Sequence, residues 1–218
     1  MGASETEWRF GRGWSKSEID NRLRSLKSRK HSFEAGHATR WKKTFFEKDV
    51  GREAPGIPEE SGPFERIKQA VIGYEFSDPK IVRGYFDRKT PLLGRRMLLE
   101  LQSLGFAYLC GTVVSEVLER RDEHESVFGY RYDTLEGHIE SGMEWFIVRK
   151  DHASGEIRFR IQASWRPGRF PNAWSRVGFF LLARHYRSLW HRHARKRLQA
   201  IGSGGVALRA SETGFRNA

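Results

Sequence analysis

Ile157-Arg158-Phe159-Arg160-Ile161-Gln162-Ala163-Ser164-Trp165 alternates apolar and polar residues throughout. A strand sends successive side chains to opposite faces, so Ile157, Phe159, Ile161, Ala163 and Trp165 share one face, while Arg158, Arg160, Gln162 and Ser164 share the other. This is the pattern of a half-buried antiparallel strand. Upstream, Trp145-Phe146-Ile147-Val148 is its partner; the intervening Lys150 to Gly155 holds Asp151, Ser154 and Gly155, residues suited to a hairpin turn. Downstream of Trp165-Arg166-Pro167-Gly168 the period changes. Pro171 or Asn172 falls near the first turn of a helix, Trp174, Val177, Leu181, Tyr186, Leu189 and Leu198 recur at helical spacing, and Ile201-Gly202 supplies the stop. At 1.5 Å per residue this helix is about 45 Å long, enough to cross the whole face of a small sheet. The expected class is α+β, a sheet gripped by one long C-terminal helix.

Ahead of the hairpin, Phe128-Gly129-Tyr130-Arg131-Tyr132-Asp133-Thr134-Leu135-Glu136-Gly137-His138-Ile139-Glu140-Ser141-Gly142 concentrates glycines and polar groups. That composition predicts a turn-rich motif rather than ordinary core strand, and makes it the place to look for chemistry.

The rest of the chain supports one buried domain with an appendage. At 218 residues and 38% hydrophobic content it is long enough for one core. Its net charge of +12 and pI near 10.1 favour contact with phosphates or anionic headgroups without choosing between them. Cys110 is the sole cysteine, which excludes a disulfide framework and a cysteine metal cluster and fits a reducing setting. No leader-like apolar stretch opens the chain and no window is apolar enough to span a bilayer, so a cytoplasmic location is expected.

Met1 to Glu7 reads as a frayed terminus, and Trp8, Phe10 and Trp14 as aromatics that dock it. Ser15-Lys16-Ser17-Glu18 is a capping box, with Trp14 and Ile19 as its hydrophobic staple. The helix that follows has an apolar stripe of Ile19, Leu23 and Leu26 and a basic remainder of Arg22, Arg24, Lys27, Arg29 and Lys30. His31 to Phe46 gives no clear pattern, and Gly51 to Pro63 is a loop rich in proline and glycine. Residues 1–63 therefore form an N-terminal extension, 64–201 the main domain and 202–218 a disordered tail. Within the domain, Phe64, Ile67, Ala70, Val71 and Tyr74 predict a short amphipathic helix ending near Ser77-Asp78-Pro79. Strands are expected over Ile81 to Phe86, Arg96 to Leu101 and Phe106 to Leu118, with Cys110 as a small buried hydrophobe.

Tyr130, Thr134, Leu135, Gly137, His138, Glu140, Gly142, Glu144 and Phe146, followed by Ala163, Arg166 and Pro167, resemble the domain-of-unknown-function family nineteen-ninety. Its signature is a tyrosine followed by Thr-Leu-x-Gly-His-x-Glu-x-Gly-x-Glu-x-Phe, a hairpin, an Ala-x-Ser-Arg-Pro-like corner and a long final helix. At the corner Trp165 stands where the family usually has serine. The family is similar to the START and polyketide-cyclase helix-grip superfamily. The resemblance therefore implies a curved antiparallel sheet wrapped around the C-terminal helix and an apolar cavity for a hydrophobic small molecule, sometimes with chemistry added.

Three readings of function follow. In the first, a hydrophobic or amphipathic molecule binds between sheet and helix, with polar contacts from Tyr130, Tyr132, Thr134, His138 and Arg166. In the second, a small cyclase- or hydratase-type enzyme uses His138 as acid or base with Glu140 or Glu144 beside it; the alternative is that Gly137-His138 is a tight turn whose side chains satisfy backbone groups. In the third, Arg192, Arg195, Lys196 and Arg197 join the N-terminal basic helix in gripping nucleic acid or an anionic membrane, the alternative being a solvated face. His191 and His193 lie two apart on a helix and face different directions, and His185 is too far along to complete a cluster, so no metal ligand is assigned. No cofactor is implied.

Overall fold

The computed structural model describes residues 6–34 and 41–205. In chain order they form β1 (Glu7–Phe10), α1 (Lys16–Ser25), β2 (Lys42–Arg52), α2 (Pro63–Ile72), β3 (Val82–Tyr85), β4 (Arg96–Ser103), β5 (Phe106–Arg121), β6 (Glu125–Thr134), β7 (Glu140–Asp151), β8 (Glu156–Pro167) and α3 (Ala173–Gly202). Among these residues one antiparallel sheet runs β2-β8-β7-β6-β5-β4-β3, and β1 adds to β5. The sheet curls around α3, as the hairpin and the long helix imply.

The β7–β8 hairpin forms where the alternation places it. Asp151 Oδ1 accepts from Ser154 N at 2.7 Å and Ser154 Oγ at 2.8 Å, and Gly155 takes φ +72°, a backbone region suited to glycine. Ile157, Phe159, Ile161, Ala163 and Trp165 are all buried. On β6 and β7 the same inner face carries Tyr130 opposite Phe146 and Tyr132 opposite Glu144. The expectation of a turn-rich 128–142 is corrected here: Phe128 to Thr134 is strand, and only the residues between β6 and β7 turn. Gly129 is there because a Cβ would lie 2.7 Å from the Phe146 carbonyl oxygen, not because the chain turns.

α3 is capped by Asn172, whose Oδ1 accepts from Ser175 N at 2.8 Å. In its second half Trp190, Ala194 and Leu198 are buried against the sheet; full burial contributes about 1.5–3 kcal/mol for a large apolar side chain. The first half departs from the expected stripe, since Trp174, Val177 and Leu181 are exposed. The sheet-facing row there is Ser175, Phe179, Leu182 and Tyr186, which interleaves small, aromatic and polar residues. α2 starts on Pro63, ends at Gly73 and buries Phe64, Ile67, Ala70 and Val71. Beside it Lys150 and Glu53 form a fully buried pair at 2.6 Å, and Lys150 Nζ also donates to the carbonyls of Ala54 and Ile57, each at 3.0 Å. Every ammonium proton thus has an acceptor. Cys110 is buried in the core, where burial pushes its thiol up to about 12.

The segment ahead of residue 64 enters the sheet. β2, which the sequence left without a pattern, pairs along β8 with a register shift between Asp49 and Gly51. Glu7, expected to fray, pairs with Leu109 in the β1–β5 ladder and accepts from Arg22 and Arg29. The capping box at Ser15 is complete, and Trp14 packs with Ile19 in a small second core. The tail expected after Gly202 lies, from residue 206 on, outside the described residues.

Candidate functional site

The turn between β6 and β7 delivers the polar residues. Gly137 has φ +84°, which lets the chain reverse so that His138 N donates to the Leu135 carbonyl at 3.1 Å. His138 is buried, and its Nδ1 accepts from the Glu140 amide at 2.9 Å. An acceptor Nδ1 in a neutral ring fixes the other tautomer, with the proton on Nε2. Burial lowers the His138 pKa to about 4, so at neutral pH the ring is a hydrogen-bond donor through Nε2 with no free basic nitrogen.

Strand register then sets the carboxylates. Glu140 and Glu144 lie on the inner face of β7, and Glu144 sits directly opposite Tyr132 of β6. Tyr132 Oη donates to Glu144 Oε2 at 2.5 Å. Burial raises the Glu144 carboxyl to about 7, against the opposing pull of the Tyr132 hydroxyl and Arg187. Burial also raises Glu140, and Arg187 of α3 counters it with a bond to Oε1 at 2.5 Å. The Tyr132 phenol is held well above its usual range, first by burial and then by the negative charge of Glu144, and stays protonated.

These groups form one end of a cavity of about 210 Å³ between the sheet and the first half of α3. Its walls are largely apolar, with Leu99, Leu101, Ile139, Phe170, Phe179 and Leu182 among them, and Leu104 and Trp174, both strongly exposed, belong to its lining. Gly178 faces it from α3, and a Cβ built there meets nothing within 4 Å. Tyr108 Oη reaches Ser175 Oγ at 2.9 Å across the same space.

Of the sequence-predicted residues, Tyr132, His138, Glu140 and Glu144 line this cavity. Three others do not. Tyr130 is fully buried against Phe146, with a ring separation of 5.4 Å, and belongs to the core. Thr134 Oγ1 accepts from Gly142 N at 2.8 Å and donates to Gly142 O at 3.0 Å, so it clasps β6 to β7. Arg166 is exposed on the outer face, as the alternation through Trp165 requires. Glu140 reaches His138 through its amide, and its carboxylate belongs to Arg187. Arg187 is the residue the sequence reading missed: it pairs with Glu140 and stacks on Trp165 at 4.4 Å. On α3, His191 stacks on Phe46 and His193 Nδ1 lies 2.5 Å from Asp78 Oδ2.

A curled antiparallel sheet holding a long C-terminal helix, with a cavity between the two, defines a helix-grip protein. Residues 34–200 match the model of the family described as Domain of unknown function (DUF1990), and the chain belongs to that family. Among solved structures it is similar to the Zhui aromatase/cyclase from Streptomyces, at 12% identity and TM-score 0.44 over 76% of this chain and 100% of that one. A protein from Arthrobacter aurescens is similar at 10% identity and TM-score 0.43, covering 81% and 99%, and Ara h 8.0201 at 13% and 0.41, covering 73% and 99%. Likenesses this distant carry no information on ligand or activity. No curated protein sequence matches the chain. Among the described residues, no helix is long and apolar enough to cross a membrane.

Proposed function

We propose that the protein holds a small apolar or amphipathic molecule in the cavity between the sheet and the first half of α3. The observation that carries this reading is the distribution of polarity: apolar walls, and one end that gathers Tyr132, Glu144, His138 and the Glu140–Arg187 pair. Such a pocket takes up an apolar body and orients it by a few polar contacts. Gly178 supports the same reading. A glycine inside a helix costs about 0.5–1 kcal/mol relative to alanine, and here the missing side chain faces open space rather than a neighbouring backbone.

A second reading, proton transfer on the bound molecule, is favoured by the Glu144 carboxyl near 7, a value suited to an acid or base at neutral pH. In it Glu144 exchanges the proton, and His138 donates a hydrogen bond from Nε2. This reverses the roles expected from sequence, where His138 was the titrating group.

Calorimetric titration with naphthol, a neutral amphipathic probe, tests the first reading. One molecule is expected to bind, and Gly178→Phe is expected to weaken binding at least about tenfold, equivalent to about 1.4 kcal/mol, without lowering the melting temperature. Unchanged affinity in a folded Gly178→Phe protein would exclude the cavity as the binding site.

A further inference from the structure

A second concavity lies on the other side of Arg187, between the edge strand β2 and α3. It measures about 480 Å³, and its lining includes Lys42, Trp165, Phe180, Arg184, Arg187 and His191, with the hydroxyls of Thr44 and Ser188. No carboxylate lines it. Two unrelated features of its wall need explanation. The first is charge. Arg187 already answers Glu140 on the cavity side, but among the described residues no ion pair engages Lys42 or Arg184, and the Lys42 ammonium instead stands 5.2 Å from the Trp165 ring centroid and 5.8 Å from that of Phe180. The second is hydrogen bonding. Trp165 Nε1 and His191 Nε2 are both buried without a hydrogen-bond partner, although buried polar groups in folded proteins are almost always bonded.

We infer that this groove is a binding site for a small anion attached to a planar aromatic ring. The ring fits beside Trp165 against the exposed Phe180, and the anion, a carboxylate in the probe below, is met by the Lys42 ammonium and the Arg184 guanidinium. The inference does not rest on the reading of the cavity between the sheet and the first half of α3, whose polar end carries two carboxylates and suits a neutral or cationic group rather than an anion.

The indole N–H resonance of Trp165, identified by its absence in Trp165→Phe, reads this groove directly. In the full chain, naphthoate is expected to shift that resonance in a saturable way. Naphthol, the neutral counterpart, is expected to need at least about tenfold more ligand, since a hydrogen bond to a charged acceptor is stronger than one to a neutral group. Lys42→Ala/Arg184→Ala, both solvent-facing substitutions, should weaken naphthoate at least about tenfold with an unchanged circular dichroism spectrum. Gly178→Phe, which fills the other cavity, should leave the naphthoate titration unaltered. The inference is overturned if naphthoate leaves the resonance unmoved, if naphthol matches it, if the double variant binds as wild type does, or if Gly178→Phe abolishes the shift.

Discussion

Replacing Glu144 with glutamine isolates one titration. The buried carboxyl is raised from its ordinary value of 4.5 to about 7, so the folded protein keeps a proton that the unfolded chain releases between those values. A group raised on folding stabilises the native state below its unfolded pKa, and that contribution is lost as pH rises through the folded pKa. At 1.36 kcal/mol per unit, ionised Glu144 costs wild type about 3 kcal/mol above neutrality. His138 and His191 are both lowered to about 4 by burial and act in the opposite sense: their contribution is present above 6.5 and lost as pH falls toward 4. The trends overlap in wild type, so the difference between the two proteins is the diagnostic quantity. Glutamine keeps the shape and still accepts from Tyr132 but never ionises. Urea unfolding followed by tryptophan fluorescence should place Glu144→Gln level with wild type near about pH 4 and about 3 kcal/mol above it near about pH 8. A difference that stays constant with pH, or one that shrinks as pH rises, would refute the assignment of a raised carboxyl at this position.

Gly178→Ala should stabilise the protein by about 0.5–1 kcal/mol, a rise of about 1–4 °C in Tm by scanning calorimetry, because its Cβ meets no neighbour; a fall in Tm would show that the space is closed. Lys150→Met leaves the Glu53 carboxylate buried and unpaired and should cost about 3–5 kcal/mol in urea unfolding, with much of the loss recovered when Glu53→Gln is added. We propose that the basic surface gives weak, sequence-independent binding to polyanions. Because Arg22 and Arg29 are taken by Glu7, and Arg195 and Arg197 donate to the carbonyls of Asp49 and Glu75, the carriers are Arg24, Lys27, Lys30, Arg192 and Lys196. Binding to duplex DNA should fall steeply with added salt, and no association even at low salt would sink the proposal.

The sheet, the hairpin and the long helix were legible because each rests on a period that local residues impose. Arg166 was expected among the cavity contacts, although the same alternation turns it away: Trp165 faces inward, so its neighbour on the strand faces outward. β2 was hidden because an edge strand shows little apolar face; between Lys42 and Arg52 charges interrupt every run, and the shift between Asp49 and Gly51 breaks the alternation. β6 was misread because Gly129 looks like a turn residue until the Phe146 carbonyl is seen pressed against it. Arg187 could not be found by pattern. On a helix with cations at many positions, the one that turns inward is chosen by Glu140 and Trp165, which lie on other strands.

The pairing of β2 with β8 also bears on how the chain reaches its fold. Phe45 meets Gln162 across more than a hundred residues, whereas β5, β6, β7 and β8 are each joined to the next by a short turn. Closing a long loop loses more chain entropy than closing a short one, and distant pairings slow folding. The meander is therefore expected to assemble first, with β2 zipping onto its edge afterwards and completing the wall against α3. The last strand to arrive is the first to leave. In native-state amide exchange, β2 should open at lower free energy than β6 or β7, and an occupant lodged between β2 and α3 should slow the exchange of β2 before that of any other strand.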